Sequence, residues 1–154
     1  MTLSVGDLAP DFEMQASGGR TVSSAALRGK PYVLYFYPKA DTPGCTKEAC
    51  AFQEALPLLD GIGAVVIGVS KDAIKPIEKF AEKYGLRFPL ASDQEGVAEA
   101  YGVWVEKSMY GRKYMGMERA TFLVDGSGRI ARIWPKVKVE GHAAEVAAAI
   151  EALR

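Results

Sequence analysis

Short runs rich in aromatic and β-branched residues alternate along this chain with longer amphipathic ones. Residues 32–37 (Tyr-Val-Leu-Tyr-Phe-Tyr) have strand composition and end at Pro38, a strand terminator. Residues 64–69 form a continuous apolar run, the signature of a strand buried on both faces. A shorter strand is expected over 88–91. Residues 120–124 and 129–134 flank Asp125-Gly126-Ser127-Gly128, a strong hairpin signal. In the lead-in, residues 12–14 and 21–22 flank Ser17-Gly18-Gly19 and predict a small hairpin, followed by a helical turn over 24–27.

The remaining pattern is helical. Thr42-Pro43 is a helix-start signal, a hydroxyl at the N-cap followed by proline at the first helical position. The helix should run to about residue 59 with Phe52, Leu56 and Leu59 on one face, and Pro57 should end or kink it. Residues 72–84 form an amphipathic helix with Ile74, Ile77, Phe80, Ala81 and Tyr84 inward, stopped by Gly85. Asp93 caps a short helix ending at Gly102, and residues 141–154 form an alanine-rich final helix. Residues 106–117 read as a polar, glycine-containing loop. Strand–helix–strand–helix, then a hairpin and a closing helix, implies one α/β domain over 1–154. A central mixed sheet is flanked by helices, with an N-terminal hairpin extension.

Charge and cysteine content narrow the function. Nineteen basic and nineteen acidic residues leave no net charge, so nothing points to nucleic acid or an anionic membrane surface. No apolar run reaches the ~18 residues of a membrane span. The opening Met-Thr-Leu-Ser-Val-Gly-Asp lacks the basic and apolar regions of a secretory leader, and a cytoplasmic protein is expected. Two cysteines in a chain of this size are no disulfide scaffold. In a reducing compartment such a pair points to catalysis, redox chemistry or metal binding.

Both cysteines lie in one stretch, 35–52, where a buried strand turns sharply into a helix. The Thr42-Pro43 start puts Cys45 in the first helical turn. The free N–H groups there favour a thiolate, the reactive form of cysteine. Thr42 stands three residues earlier, at capping-box spacing, so its hydroxyl can donate to the thiolate or orient a substrate oxygen. Cys45 reads as a nucleophile and Cys50 as its partner. In one continuous helix their Cα atoms would be about 8.6 Å apart and about 140° apart around the axis. A disulfide needs Cα atoms closer than about 7 Å. Either the two never pair, or pairing is coupled to unwinding near 42–51. The stretch also sits where ligands bind in open α/β sheets, beyond the carboxyl end of a strand.

Pro38-x-x-x-Thr42-x-x-Cys45 resembles the active-site motif of peroxiredoxins, and a helix cysteine at position 50 resembles their Q-type branch, the bacterioferritin comigratory proteins. The resemblance spans nearly the whole chain. It includes the opening Val-Gly-Asp-Leu-Ala-Pro-Asp-Phe, the segment 110–125 with its Glu-Arg-Ala-Thr-Phe, and the final helix. It implies a thioredoxin-like fold and a thiol peroxidase that needs no metal, haem or flavin. Thr42, Cys45 and Arg119 would form the site, Pro38 would shape and shield it, and Cys50 would be the resolving cysteine. Cys45 would become a sulfenic acid on reaction with peroxide, and thioredoxin would reduce the resulting Cys45–Cys50 disulfide in a monomeric enzyme. Glu48, one turn after Cys45, either orients Arg119 or relays a proton, or is a solvated first-turn glutamate favoured by the helix dipole.

Other chemistries fit less well. A general disulfide oxidoreductase wants Cys-x-x-Cys at this turn, and four residues separate these cysteines. Copper binding would recruit the single histidine, His142, but Arg119 would oppose a cation. A cysteine phosphatase needs an arginine soon after the nucleophile, and position 51 is alanine. His142 itself reads as structural or surface. Trp104 and the methionines of 109–117 could rim the site or pack a loop on the body.

Overall fold

The structure, a computed structural model, describes residues 3–153. The extreme ends of the expected lead-in and of the final helix lie outside the described residues.

The elements follow the hydrophobic pattern closely. The N-terminal hairpin forms as β1 (Glu13–Ala16) and β2 (Arg20–Ser23), turning through Ser17–Gly19, and a one-turn helix follows at Ala25–Leu27. β3 (Tyr32–Phe36) stops just before Pro38, and all five of its residues are buried. Helix α1 (Pro43–Ile62) leads to β4 (Val65–Ser70), α2 (Ile74–Tyr84) and β5 (Leu90–Ser92). A short helix α3 (Val97–Ala100) comes next. Its N-cap residue is Gly96 rather than the expected Asp93, although the Asp93 carboxylate accepts from the backbone of Glu95, Val97 and Ala98. Strands β6 (Trp104–Met109), β7 (Arg112–Met117), β8 (Ala120–Val124) and β9 (Ile130–Trp134) precede the closing helix α4 (His142–Glu151).

Seven strands form one mixed sheet in the order β2-β1-β5-β4-β3-β8-β9. β3, β4 and β5 run parallel, whereas β8 pairs antiparallel with β3 and β9, and β1 with β5. Residue alternation on β3 divides the core in two. Val33, Tyr35 and Tyr37 face α1, α2 and α4, with Phe52, Phe80 and Val146 among their neighbours. Tyr32, Leu34 and Phe36 face the other layer, with Phe122, Tyr101 and Val97. Tyr35 stacks on Phe52 at 4.7 Å between ring centroids. It fits because β4 carries glycine opposite: a Cβ at Gly68 would lie 2.7 Å from Tyr35 Cζ and from Leu90 Cδ2.

Three expectations are corrected. Residues 106–117 are not a loop but most of a separate two-stranded ribbon, β6 paired with β7. Its turn uses Tyr110 and Gly111, both at positive φ, as a tight two-residue hairpin requires. The polar composition that suggested a loop reflects a ribbon with water on much of its surface; Tyr110 at its tip is 99% exposed. Pro57 does not end its helix, which continues to Ile62 and stops at Gly63 in the left-handed C-cap. Pro57 faces solvent, so the carbonyl that loses its intrahelical donor can be hydrated. Helix α2 also starts at Ile74, two residues later than expected, because Asp72 is engaged elsewhere.

Candidate active site

The site is built where β3 hands over to α1. Pro38 and Lys39 leave the sheet exposed, and Asp41 takes the left-handed conformation (φ 60°) to reverse the chain. Asp72, just past the end of neighbouring β4, accepts from the Ala40 backbone N–H at 2.7 Å and from Ser70 Oγ at 2.9 Å. The turn is thereby tied to the adjacent parallel strand. Thr42 is the N-cap residue in extended conformation, but its hydroxyl does not bond the first helical turn. Thr42 Oγ1 donates to the Lys39 carbonyl at 2.8 Å, so its proton is committed to the turn and its oxygen remains available as an acceptor. The expected donation from Thr42 to the Cys45 thiolate is therefore not the arrangement found.

Cys45 occupies the first turn of α1, is 1% exposed, and is a free thiol; Cys50 is free and half-buried one and a half turns on. Both lie in one unbroken helix, so the helical spacing argument holds and they face different sides. Ala49 and Phe52 fill the core next to Cys45.

Arg119 arrives from the end of the ribbon, immediately before β8. Its Nη2 donates to Cys45 Sγ at 3.3 Å and its Nη1 donates to Glu48 Oε1 at 2.7 Å. Gly44 makes room for this approach, since a Cβ there would lie 3.2 Å from Arg119 Nη2. The Arg119 side chain is only 19% exposed. Burial alone would lower its basicity, but the Glu48 carboxyl and the Cys45 sulfur outweigh that and raise it.

Glu48 is 2% exposed, so it is no solvated first-turn glutamate. Burial pushes its carboxyl up to about 7 against the lowering pull of Arg119. The geometry explains the direction. Only Oε1 has a partner; Oε2 is buried without one, as are the hydroxyls of Tyr35 and Tyr37. A carboxylate with one unsolvated oxygen favours the neutral acid.

The other candidates fall away from the chemistry. His142 is buried with Nε2 at 2.8 Å from Thr121 Oγ1, edge-on to Phe52 and Trp134, and burial lowers its basicity. It supports the α1–α4 contact. Among the described residues, no three His, Cys, Asp or Glu side chains cluster as a metal site. Trp104 is half-buried with Lys71 Nζ over its ring. Sequence reasoning did not find Asp72 or the anchoring of the turn. The available signal was topological: Asp72 follows the strand parallel to β3, on the same edge of the sheet.

The fold and this arrangement match known proteins. Residues 5–133 match the AhpC/TSA family, and the chain belongs to it. Its solved relatives are peroxiredoxins of thioredoxin-like fold, which makes the protein a thiol peroxidase. Within that class it groups with the Q-type, bacterioferritin comigratory branch. It is 51% identical over 147 residues to the putative peroxiredoxin Bcp of Coxiella burnetii, covering 95% of this chain and 97% of that one. It is 48% identical over 146 residues to peroxiredoxin Bcp of Bacillus subtilis, covering 94% and 93%. The peroxiredoxin Q structure of Xylella fastidiosa superimposes with a TM-score of 0.93 at 37% identity, over 99% of this chain and 98% of that one. A structure concerning the alkyl peroxide reduction activity of the Xanthomonas campestris bacterioferritin comigratory protein has a TM-score of 0.88 at 43% identity, covering 92% and 91%.

Proposed function

We propose that this peroxidase reduces hydrogen peroxide and organic hydroperoxides through Cys45 and resolves through Cys50. The Cys45 thiolate attacks one peroxide oxygen. The O–O bond breaks, the second oxygen leaves as water or alcohol after taking a proton, and Cys45 becomes a sulfenic acid. Arg119 stabilises the charge that develops on the oxygens, as a fixed, always-charged donor in a site with little water. Thr42 accepts from the peroxide O–H and orients it, and Pro38 forms the outer rim that shields the turn. Glu48 is a positioning residue: it fixes the guanidinium at the angle that lets Nη2 reach sulfur.

Cys50 then condenses with the sulfenic acid, releasing water and forming the Cys45–Cys50 disulfide. The first turns of α1 unwind for this step, because the helix holds the two cysteines too far apart. An external dithiol, by analogy thioredoxin, reduces the disulfide by exchange. The partner cysteine is in the same chain, which favours a monomer, and the proposed compartment is the cytoplasm. No helix among the described residues is long and apolar enough to cross a membrane.

The observation that carries the reading is the Arg119 guanidinium placed between the Cys45 sulfur and the Glu48 carboxyl at a helix N-terminus. The test is a titration of the reduced protein with peroxide, followed by intact mass and peptide mapping. The expected product at one equivalent has lost two hydrogens and carries a Cys45–Cys50 link within one chain. A lasting sulfenic acid, or a link between chains, removes Cys50 as partner. Absence of any oxidation at stoichiometric peroxide removes Cys45 as nucleophile.

A further inference from the structure

We propose that Asp41 on the turn and Lys83 and Tyr84 on α2 form a clamp that holds the Cys45 turn closed and sets how fast Cys50 reaches oxidised Cys45. The inference rests on Cys50 being the resolving cysteine. Asp41 is the last residue before the Thr42 N-cap. Its two carboxylate oxygens are taken by different partners: Tyr84 Oη donates to Oδ1 at 2.9 Å, and Lys83 Nζ donates to Oδ2 at 3.0 Å. Both partners stand in the last turn of α2, more than 40 positions away in the chain. They are firmly founded. Tyr84 packs edge-on against Phe80, and the buried Phe80 ring lies against Tyr37, at the end of the strand that leads into the turn.

The clamp acts on the segment that the chemistry requires to move. Cys45 is buried in an unbroken helix, so condensation with Cys50 occurs only after residues 42–50 lift from the sheet. Asp41 is the residue that joins this segment to the sheet, so with α2 still packed its contacts tether the near end of the segment in the closed state and are released when the lifting reaches the turn. An interaction made in one state alone shifts the population of that state. In the open form Cys45–SOH and Cys50–SH give the disulfide and water. In the closed form a second peroxide converts the sulfenic acid to sulfinic acid and water, and Cys45 is lost to the cycle. The clamp therefore lengthens the time in which the sulfenic acid is exposed to a second oxidation.

The bonds are at the surface, with Asp41 and Lys83 side chains 42% and 59% exposed. Surface pairs are individually weak, so removing both partners should multiply the open population by about three- to tenfold. The test is the Lys83→Met/Tyr84→Phe double variant, which leaves Asp41 and the whole turn intact. Reduced protein is mixed rapidly with peroxide, quenched with a thiol-alkylating reagent and weighed intact. Disulfide formation should accelerate by about three- to tenfold, and the sulfinic fraction at excess peroxide should fall, while consumption of the Cys45 thiol stays within about twofold of wild type. Tyr84→Phe alone keeps the ring on Phe80 and should accelerate the same step by about twofold. Unchanged disulfide formation in the variants, with normal formation in wild type, overturns the clamp and leaves the proposed cycle standing. Equal slowing of both steps also overturns it, since that is the signature of a damaged turn. Failure of the wild-type chain to form the Cys45–Cys50 link overturns the resolving assignment first and the clamp with it.

Discussion

Arg119 stands 74 residues after Cys45 in the chain, yet its Nη2 donates to the cysteine sulfur at 3.3 Å. Its other terminal nitrogen is spent on Glu48, so one cation faces two acidic groups from a fixed direction. A planar fork does this with two separate nitrogens held in one rigid geometry, which a point-like ammonium does not reproduce. Arg119→Met should therefore lower the second-order rate constant for peroxide by about 10²- to 10³-fold, and Arg119→Lys should recover only part of the loss. Single-turnover loss of the Cys45 thiol measures it. An unchanged rate in Arg119→Met would remove the guanidinium from the reaction.

Glu48 is expected to act through Arg119 rather than on the peroxide. Glu48→Gln keeps an oxygen for Nη1 and should retain most of the rate; Glu48→Ala frees the guanidinium and should cost about tenfold or more. Stability offers an independent reading. The folded carboxyl titrates near 7, above its ordinary value of 4.5, so the folded chain binds the extra proton more tightly than the unfolded chain does. Its contribution is fully present below about pH 4.5 and is lost as pH rises through about 7. Denaturant melts should thus show Glu48→Gln gaining on wild type between those limits. A pH-independent difference would mean that the carboxyl is ionised throughout.

Removing Cys50 should separate oxidation from turnover. Cys50→Ser should consume its first peroxide at the wild-type rate, stop at the sulfenic acid, and fail to cycle with a dithiol reductant. Excess peroxide should then drive it to sulfinic acid. Steady-state assays with thioredoxin, paired with intact mass, check both halves; undiminished turnover would show that another thiol resolves Cys45.

His142 predicts a stability effect of the opposite sign. Burial holds its imidazole below its ordinary value of 6.5, with Glu145 working against the shift. The unfolded chain then takes up the proton more readily. Stability from this group is intact above pH 6.5 and declines as pH falls below it. Thr121→Val leaves the buried ring nitrogen without its partner and should destabilise the fold by about 1–3 kcal/mol. Urea melts at pH 7.5 test the size, and melts from pH 7.5 to 5 test the slope.

The pattern of apolar positions was enough to place nearly every element of the sheet and its helices. Strands and helices bury a face, and the face is written in the residue period. The ribbon over β6 and β7 escaped because it buries little, so its alternation carried polar and exposed residues that resemble a loop. Pro57 does not end its helix, for the reverse reason: its local penalty is outweighed by the packing of Phe52, Leu56 and Leu59 on the same helix.

For the site, the sequence by itself determined the setting of Cys45: a strand ended by Pro38, a start at Thr42-Pro43, and the cysteine in the first turn. These are local effects of backbone sterics and helix-terminal N–H groups, and they need no distant partner. Only the tertiary structure decided what Glu48, Thr42 and Asp41 do. Burial gave Glu48 an Arg119 partner and an unsatisfied second oxygen. The reversal of the chain turned the Thr42 hydroxyl back onto Lys39, and the packing of α2 brought Tyr84 and Lys83 to Asp41. Each of these depends on which distant group the fold brings within about 3 Å, and hydrogen bonds and ion pairs have no signature in local sequence at that range.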